Sequence, residues 1–295
     1  MTEGALYTGF YGLTERPFEL SPDLRYLYLS EKHRDALAHL TYGVEERRGF
    51  VQLTGEVGTG KTTMLDALVQ GLDATTKVAW LTNTTIGRTD LLRALAWELG
   101  IEDVGKTKME IMRQISAQLV RWTADGRNAV FVVDEGQNLS NALLEEIRLL
   151  SNLRAMGRAS LQIVLAGQPE LREALERREL RQLRQRISIR YHLEPLSREE
   201  TGRYIRHRLD VAGVGKREIF ERSAIDAVHE YSGGVPRLVN VICDNALLSG
   251  YADELTWIGR RTIRETVEAL DTRRRAPSDW TFRAAEQTAA EVERG

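Results

Sequence analysis

The stretch Gly55-Glu56-Val57-Gly58-Thr59-Gly60-Lys61-Thr62-Thr63 constrains this chain more than any other. It reads G-x-x-x-x-G-K-T. An apolar run, Phe50 to Leu53, lies directly before it, and a helix-forming run, Met64 to Leu72, directly after. A strand that turns sharply into a helix aims backbone N–H groups and the helix dipole at one point, where an anion is stabilised. Glycines let the main chain approach phosphate oxygens with no Cβ in the way. Lys61 is then expected to reach the β- and γ-phosphates of ATP, and the Thr62 hydroxyl to ligate Mg²⁺. Gly55, Glu56, Val57, Gly58, Thr59, Gly60, Lys61, Thr62 and Thr63 together form the expected phosphate cradle.

Such a loop requires a sheet behind it, and the chain supplies the strands. Phe50–Thr54, Val78–Leu81, Ala129–Val133, Leu161–Ala166 and Ile187–Leu193 read as strands. Helix-like stretches at Lys61–Leu72, Thr89–Leu99, Met109–Trp122, Asn141–Leu153 and Pro169–Arg178 separate them. A continuous apolar run such as Ala129–Val133 suits a strand buried on both faces. The alternation predicts an α/β fold, a five-stranded parallel sheet covered by helices on both sides.

Before the first strand, a helix is expected from Ser30, a good N-cap. Residues 1–29 carry Tyr7, Phe10, Tyr11, Phe18, Tyr26 and Tyr28, too many aromatics for a solvated tail. They are expected to form an irregular segment packed on the sheet domain, which spans residues 30–196. From 197 to 271 the pattern is helical with no strand, a second small domain, and 272–295 form a tail.

Composition excludes several classes. Net charge is −2, so global charge recruits neither nucleic acid nor anionic membrane. Cys243 is the only cysteine, which rules out an intramolecular disulfide and suits a reducing compartment. No apolar run approaches the ~20 residues of a membrane span. The N-terminus lacks a basic segment followed by an apolar one, so no secretory signal is read and a cytoplasmic location is expected. The five histidines lack metal-ligand spacing.

Ala129–Val133 ends in Asp134-Glu135. After a phosphate-binding loop, a carboxylate at a strand end can hold the Mg²⁺ shell and the next can polarise an attacking water, so Asp134 and Glu135 take these roles. Gln168 follows another apolar strand. Either its amide orients the same water, or it merely begins a loop and caps the helix at Pro169. Arg172, Arg177, Arg178, Arg181, Arg184, Arg186 and Arg190 make an arginine-dense run offset by Glu173, Glu176 and Glu179. Most of it reads as a solvated face with i,i+4 pairs. Arg184 and Arg186 stand apart because they immediately precede the last strand, where an arginine can serve a neighbouring subunit. Arg237 follows Gly233-Gly234-Val235-Pro236 in the first turn of a helix, against the preference of the dipole. It is either a γ-phosphate contact or an ordinary surface arginine.

Taken together these residues resemble the AAA+ ATPases, with a Walker A loop, a Walker B strand ending Asp-Glu, a sensor after the next strand, and Gly234-Val235-Pro236-Arg237 in a helical lid. Tyr11-Gly12-Leu13, Pro17-Phe18, Ser21-Pro22-Asp23, the run Asp134–Leu139, Glu145–Leu153 and Gly167-Gln168-Pro169-Glu170-Leu171 resemble the general secretion pathway protein A (ExeA/GspA) family more closely. The resemblance covers roughly residues 8–270. It differs at Gly136, where the family usually has alanine. The resemblance implies ATP hydrolysis with Mg²⁺ in a ring or filament, with Arg184 or Arg186 supplied in trans and an unidentified partner protein in secretion or envelope export. The membrane span and periplasmic module of the secretion members are not read in this chain. The same ATPase type also resembles TnsC-like transposition regulators, which form filaments on DNA, so DNA is the alternative partner. A nucleotide-gated scaffold with low turnover is a third reading.

Overall fold

The computed structural model describes residues 6–21, 23–81, 84–155, 158–215 and 217–275. Pro22 and the tail beyond 275 lie outside them.

Among the described residues seven strands are present: β1 (Phe50–Gly55), β2 (Thr76–Leu81), β3 (Asn128–Val133), β4 (Arg154–Ala155), β5 (Arg158–Ala159), β6 (Gln162–Gly167) and β7 (Ile187–Leu193). Five of them form one sheet in the order β2-β3-β6-β1-β7, every pair parallel. The α/β class and the five-stranded parallel sheet expected from the sequence are what the chain forms. β4 and β5 pair antiparallel on their own. At two residues each, they carry no alternation that a sequence pattern could reveal.

The central strands β1 and β6 are buried along their whole length. Their side chains alternate between two cores, as the two-residue period of a strand requires. Phe50, Phe131, Val133, Ile163 and Leu165 pack into one layer with Leu92, Ile115 and Ile147. Val51, Leu53, Val130, Val132 and Val164 pack into the other with Leu40, Met64 and Leu68. The helices start where capping chemistry permits. Ser30 Oγ accepts the His33 N–H to open the helix Glu31–Glu45. Thr107 and Glu110 form a reciprocal box at the head of Lys108–Ala124. The helix expected over Pro169–Arg178 stops at Glu176, and a 3₁₀ turn, Arg178–Leu180, and a short helix, Arg181–Arg184, complete the approach to β7.

The chain divides into two compact units. The first comprises Leu20–Glu200 and Gly233–Leu238 and contains the sheet. The second comprises the chain up to Glu19, Thr201–Ser232 and the chain from Val239 onward. The first 29 residues therefore do not act as one irregular segment on the sheet domain. Leu6–Tyr11 is helical, and through Glu19 the segment is tied into the helical unit. The Thr14 N–H donates to Ala212 O at 2.9 Å, Tyr11 Oη donates to Leu255 O at 3.0 Å, and Tyr7 Oη donates to Asp244. The buried Arg208 guanidinium donates to the carbonyls of Pro17 and Glu19. The physical cause is aromatic burial: Tyr7, Tyr11 and Phe18 are nearly inaccessible, and Phe18 meets Phe220 edge-on at 6.0 Å. Among the described residues no helix is long and apolar enough to cross a membrane.

Candidate functional site

Parallel strands carry their ligand chemistry at their carboxyl ends. Here the ends of β1, β3 and β6 are adjacent in the sheet, so three loops converge. The loop after β1 turns through Gly58 (φ +82°) and Gly60 (φ +101°), left-handed conformations that cost L-residues strain. Gly60 caps the helix Lys61–Gly71 without a side chain in the way. Thr59 braces the turn from inside, its Oγ1 donating to Glu56 O at 2.8 Å.

Lys61 is buried, and its Nζ donates to the carbonyls of Gly55 (2.8 Å) and Glu56 (2.9 Å). Burial holds its pKa below the ordinary lysine value, while Glu135, Asp134, Glu56 and Glu170 pull in the opposite direction. An ammonium buried among carboxylates and desolvated from water is primed to exchange loop carbonyls for a stronger anionic partner. Thr62 Oγ1 donates to Asp134 Oδ2 at 2.6 Å, bringing a hydroxyl and a carboxylate to one point. That pair is an oxygen donor set of the kind Mg²⁺ takes when phosphates and waters complete its shell. Among the described residues no cluster of three or more His, Cys, Asp or Glu groups could hold a metal unaided. A cation here would thus lean on two protein oxygens and on a bound polyphosphate.

Glu135 adopts a left-handed conformation (φ 52°, ψ 37°), which is uncommon for a residue with a Cβ and typical of functional turns. Its N–H donates to Asp134 Oδ1 at 2.8 Å, so the two carboxylates are held apart by their own backbone. Gln168 heads the helix Pro169–Glu176, yet its side chain makes no cap bond. Instead Gln168 Nε2 donates to Glu135 Oε2 at 3.2 Å. Arg237 approaches the phosphate loop through its backbone: its N–H donates to Gly58 O at 3.2 Å. A Cβ added at Gly58 would stand 2.7 Å from Arg237 Cβ, so the two positions are in close contact. The Arg237 side chain is exposed.

Lys61, Thr62, Asp134, Glu135, Gln168 and the Arg237 backbone are therefore brought together. Arg184 and Arg186 are not. β7 runs parallel to β1, with Ile187 level with Phe50 and Leu193 level with Gly55. The residues before Ile187 thus lie at the opposite end of the sheet from the phosphate loop, about 20 Å away. Arg186 Nη1 donates to Ser151 Oγ at 3.4 Å, whereas the Arg184 side chain is exposed.

Two residues were not assigned a role from the sequence. Gln137 Nε2 donates to Glu135 Oε2, and its Oε1 accepts the Gln168 N–H at 3.0 Å. No pattern in the sequence announces this, because periodicity says nothing about where a side chain on a turn points. His33 is buried, its Nε2 3.2 Å from Thr59 O and its Nδ1 2.7 Å from Ser30 Oγ. The signal for it was the N-cap at Ser30, which fixes the first helical turn. At Gly136 a Cβ would meet Ala166 O and Leu165 Cδ1, each at 2.9 Å, so this backbone has no room for the alanine that the family usually carries.

Residues 44–175 match the family described as AAA domain. Over 251 residues the chain is 46% identical to General secretion pathway protein A of Aeromonas hydrophila, a match covering 84% of this chain and 45% of that protein. The chain thus spans less than half the length of that relative. Among solved structures, Drosophila ORC bound to DNA is similar at a TM-score of 0.66 and 16% identity, covering 90% of this chain and 66% of that one. The Cdc6p structure from Pyrobaculum aerophilum is similar at a TM-score of 0.63 and 15% identity, covering 84% and 71%. At such identities the likeness concerns the fold.

Proposed function

Because the chain belongs to the AAA-domain family and is a relative of General secretion pathway protein A, we propose that it is a Mg²⁺-dependent ATPase active as an oligomer. Its turnover drives or switches the assembly of a partner system in secretion or envelope export. The observation that carries the reading is the convergence of Lys61, the Thr62–Asp134 pair and the tethered Glu135 at three adjacent strand ends.

The loop Gly55–Thr63 cradles the phosphates with its N–H groups, and Lys61 exchanges its carbonyl partners for phosphate oxygens. Thr62 and Asp134 would hold Mg²⁺, which supplies charge neutralisation at the phosphates. Glu135 accepts a proton from the attacking water, and Gln168, bonded to the same carboxylate, orients that water. The exposed Arg237 reaches the nucleotide from its place beside Gly58. Arg184, exposed at the far end of the sheet, is supplied to a neighbour's site, and Arg186 beside it is held by Ser151.

The reading is tested on two variants. K61A should lose nucleotide binding. E135Q should bind ATP with unchanged affinity and turn it over about 10²–10⁴-fold more slowly. Undiminished hydrolysis by E135Q would remove Glu135 from its role. A low wild-type turnover unaffected by E135Q would favour a nucleotide-gated scaffold.

A second reading, ATP-dependent binding to DNA, draws on one feature. Arg172, Arg177, Arg178, Arg181, Arg184 and Arg190 are all exposed on one contiguous stretch. Duplex binding that falls steeply with salt, and only with ATP present, would favour this reading over a protein partner.

A further inference from the structure

The turn after β3 contains a residue whose contacts exceed what the turn itself requires. Gln137 lies in the 3₁₀ turn Gly136–Asn138, between Glu135 and the end of β6. Its side chain is placed by two glycines. Gly136 packs so closely on β6 that a Cβ would meet Ala166 O at 2.9 Å, and a Cβ on Gly167 would stand 2.9 Å from Gln137 Oε1. The orientation of the amide follows from its neighbours. The Gln168 N–H needs an acceptor, and Gln137 Oε1 supplies it at 3.0 Å. The NH₂ end must then face the other way, and it donates to Glu135 Oε2.

Glu135 Oε2 therefore receives two amide donors, from Gln137 and from Gln168 Nε2 at 3.2 Å. Oε1 is the oxygen that neither amide engages. The main chain beneath is fixed as well: Glu135 N–H donates to Asp134 Oδ1 at 2.8 Å, and Glu135 O accepts from Asn138 N–H at 2.9 Å. A flexible glutamate is thereby reduced to one orientation, with one oxygen committed to amides and one left for a water.

We propose that Gln137 is a positioning residue for the Glu135 carboxylate, linking it to the backbone at the end of β6 so that Oε1 faces the attacking water. The proposal rests on the reading of Glu135 as the proton acceptor. It adds a mechanical link: the Gln168 backbone, the Gln137 amide and the Glu135 carboxylate form a single chain of hydrogen bonds. A shift of Gln168 on meeting a γ-phosphate is felt at Glu135 through that chain.

The test uses the full chain and steady-state ATP hydrolysis, comparing wild type, Q137E and E135Q. Glutamate at 137 keeps an oxygen for the Gln168 N–H but replaces the donor toward Glu135 with a second carboxylate. Q137E should lose about tenfold or more in kcat, with KM for ATP and the thermal unfolding midpoint unchanged. Wild-type kcat in Q137E alongside an inactive E135Q would overturn the proposal and leave Gln137 a structural residue. A Q137E chain whose unfolding midpoint falls in step with its kcat would do the same. Wild-type kcat in E135Q would instead overturn the reading of Glu135 itself, which separates the two failures.

Discussion

The two compact units of this chain are held together by different means. In the unit containing the sheet, order comes from parallel ladders between long apolar runs, and each strand buries side chains into one of two cores. In the helical unit, a short aromatic segment reaches across the sequence to residues some two hundred positions later. Tyr7 meets Asp244, Tyr11 meets Leu255, and Arg208 takes the carbonyls of Pro17 and Glu19. The first arrangement is redundant, since many similar contacts share the burden. The second adds to its buried apolar side chains a few polar ties whose loss leaves buried groups unpaired.

That contrast can be broken at its weakest point. R208A strips donors from two backbone carbonyls and from the buried Tyr204 Oη. It should cost about 3 kcal/mol, read as a lowered denaturant midpoint. An effect within 0.5 kcal/mol, the ordinary range for a surface substitution, would erase the distinction between the units. G58A, in the sheet unit, should act on function more than on folding. Its backbone sits at φ +82° and its Cβ would crowd Arg237 Cβ at 2.7 Å. A strain of about 1–2 kcal/mol should appear mainly as weaker ATP binding, measured by titration calorimetry. Unchanged affinity would mean that the phosphate loop tolerates a shift there.

The smallest effect concerns pH. Burial lowers the pKa of His33 from the ordinary 6.5, partly offset by its bond to Thr59 and the charge of Glu200. The folded state thus holds the proton less readily than the unfolded one. The His33 contribution is fully present above pH 6.5 and is lost as pH falls toward the lower folded value. Thermal midpoints of wild type should therefore drop on acidification through that window, and H33Q should lack this component. A wild-type and H33Q pair with parallel pH profiles would show that the imidazole is not held neutral beneath the loop.

The same contrast explains what the sequence disclosed. The strands were legible because Phe50–Leu53, Ala129–Val133 and Leu161–Ala166 are uninterrupted apolar runs, and burial on both faces leaves that imprint. The phosphate loop was legible because its glycines occupy positions where the backbone demands them. That Asp134 and Glu135 directly follow a strand was legible from the apolar run before them. Gln137 was not, because a side chain on a turn is aimed by its tertiary surroundings. The N-terminal segment announced that it would pack, through its aromatics, but not where. A six-residue helix is too short for periodicity to declare itself, and its partners lie at the far end of the chain. The helix expected over Pro169–Arg178 ends at Glu176, and a 3₁₀ turn and a further short helix follow before β7.

The separation of Arg184 from the phosphate loop also has a consequence for symmetry. The parallel register of β1 and β7 gives the sheet unit a head and a tail, with the loop Gly55–Thr63 at one and the exposed arginine at the other. An arginine that serves a neighbour must then join unlike ends, and every copy added leaves one of each end open. A two-fold dimer satisfies no such contact. Assembly through such a contact would stop only where the rotation from copy to copy closes on itself, and would otherwise continue as a helix of subunits.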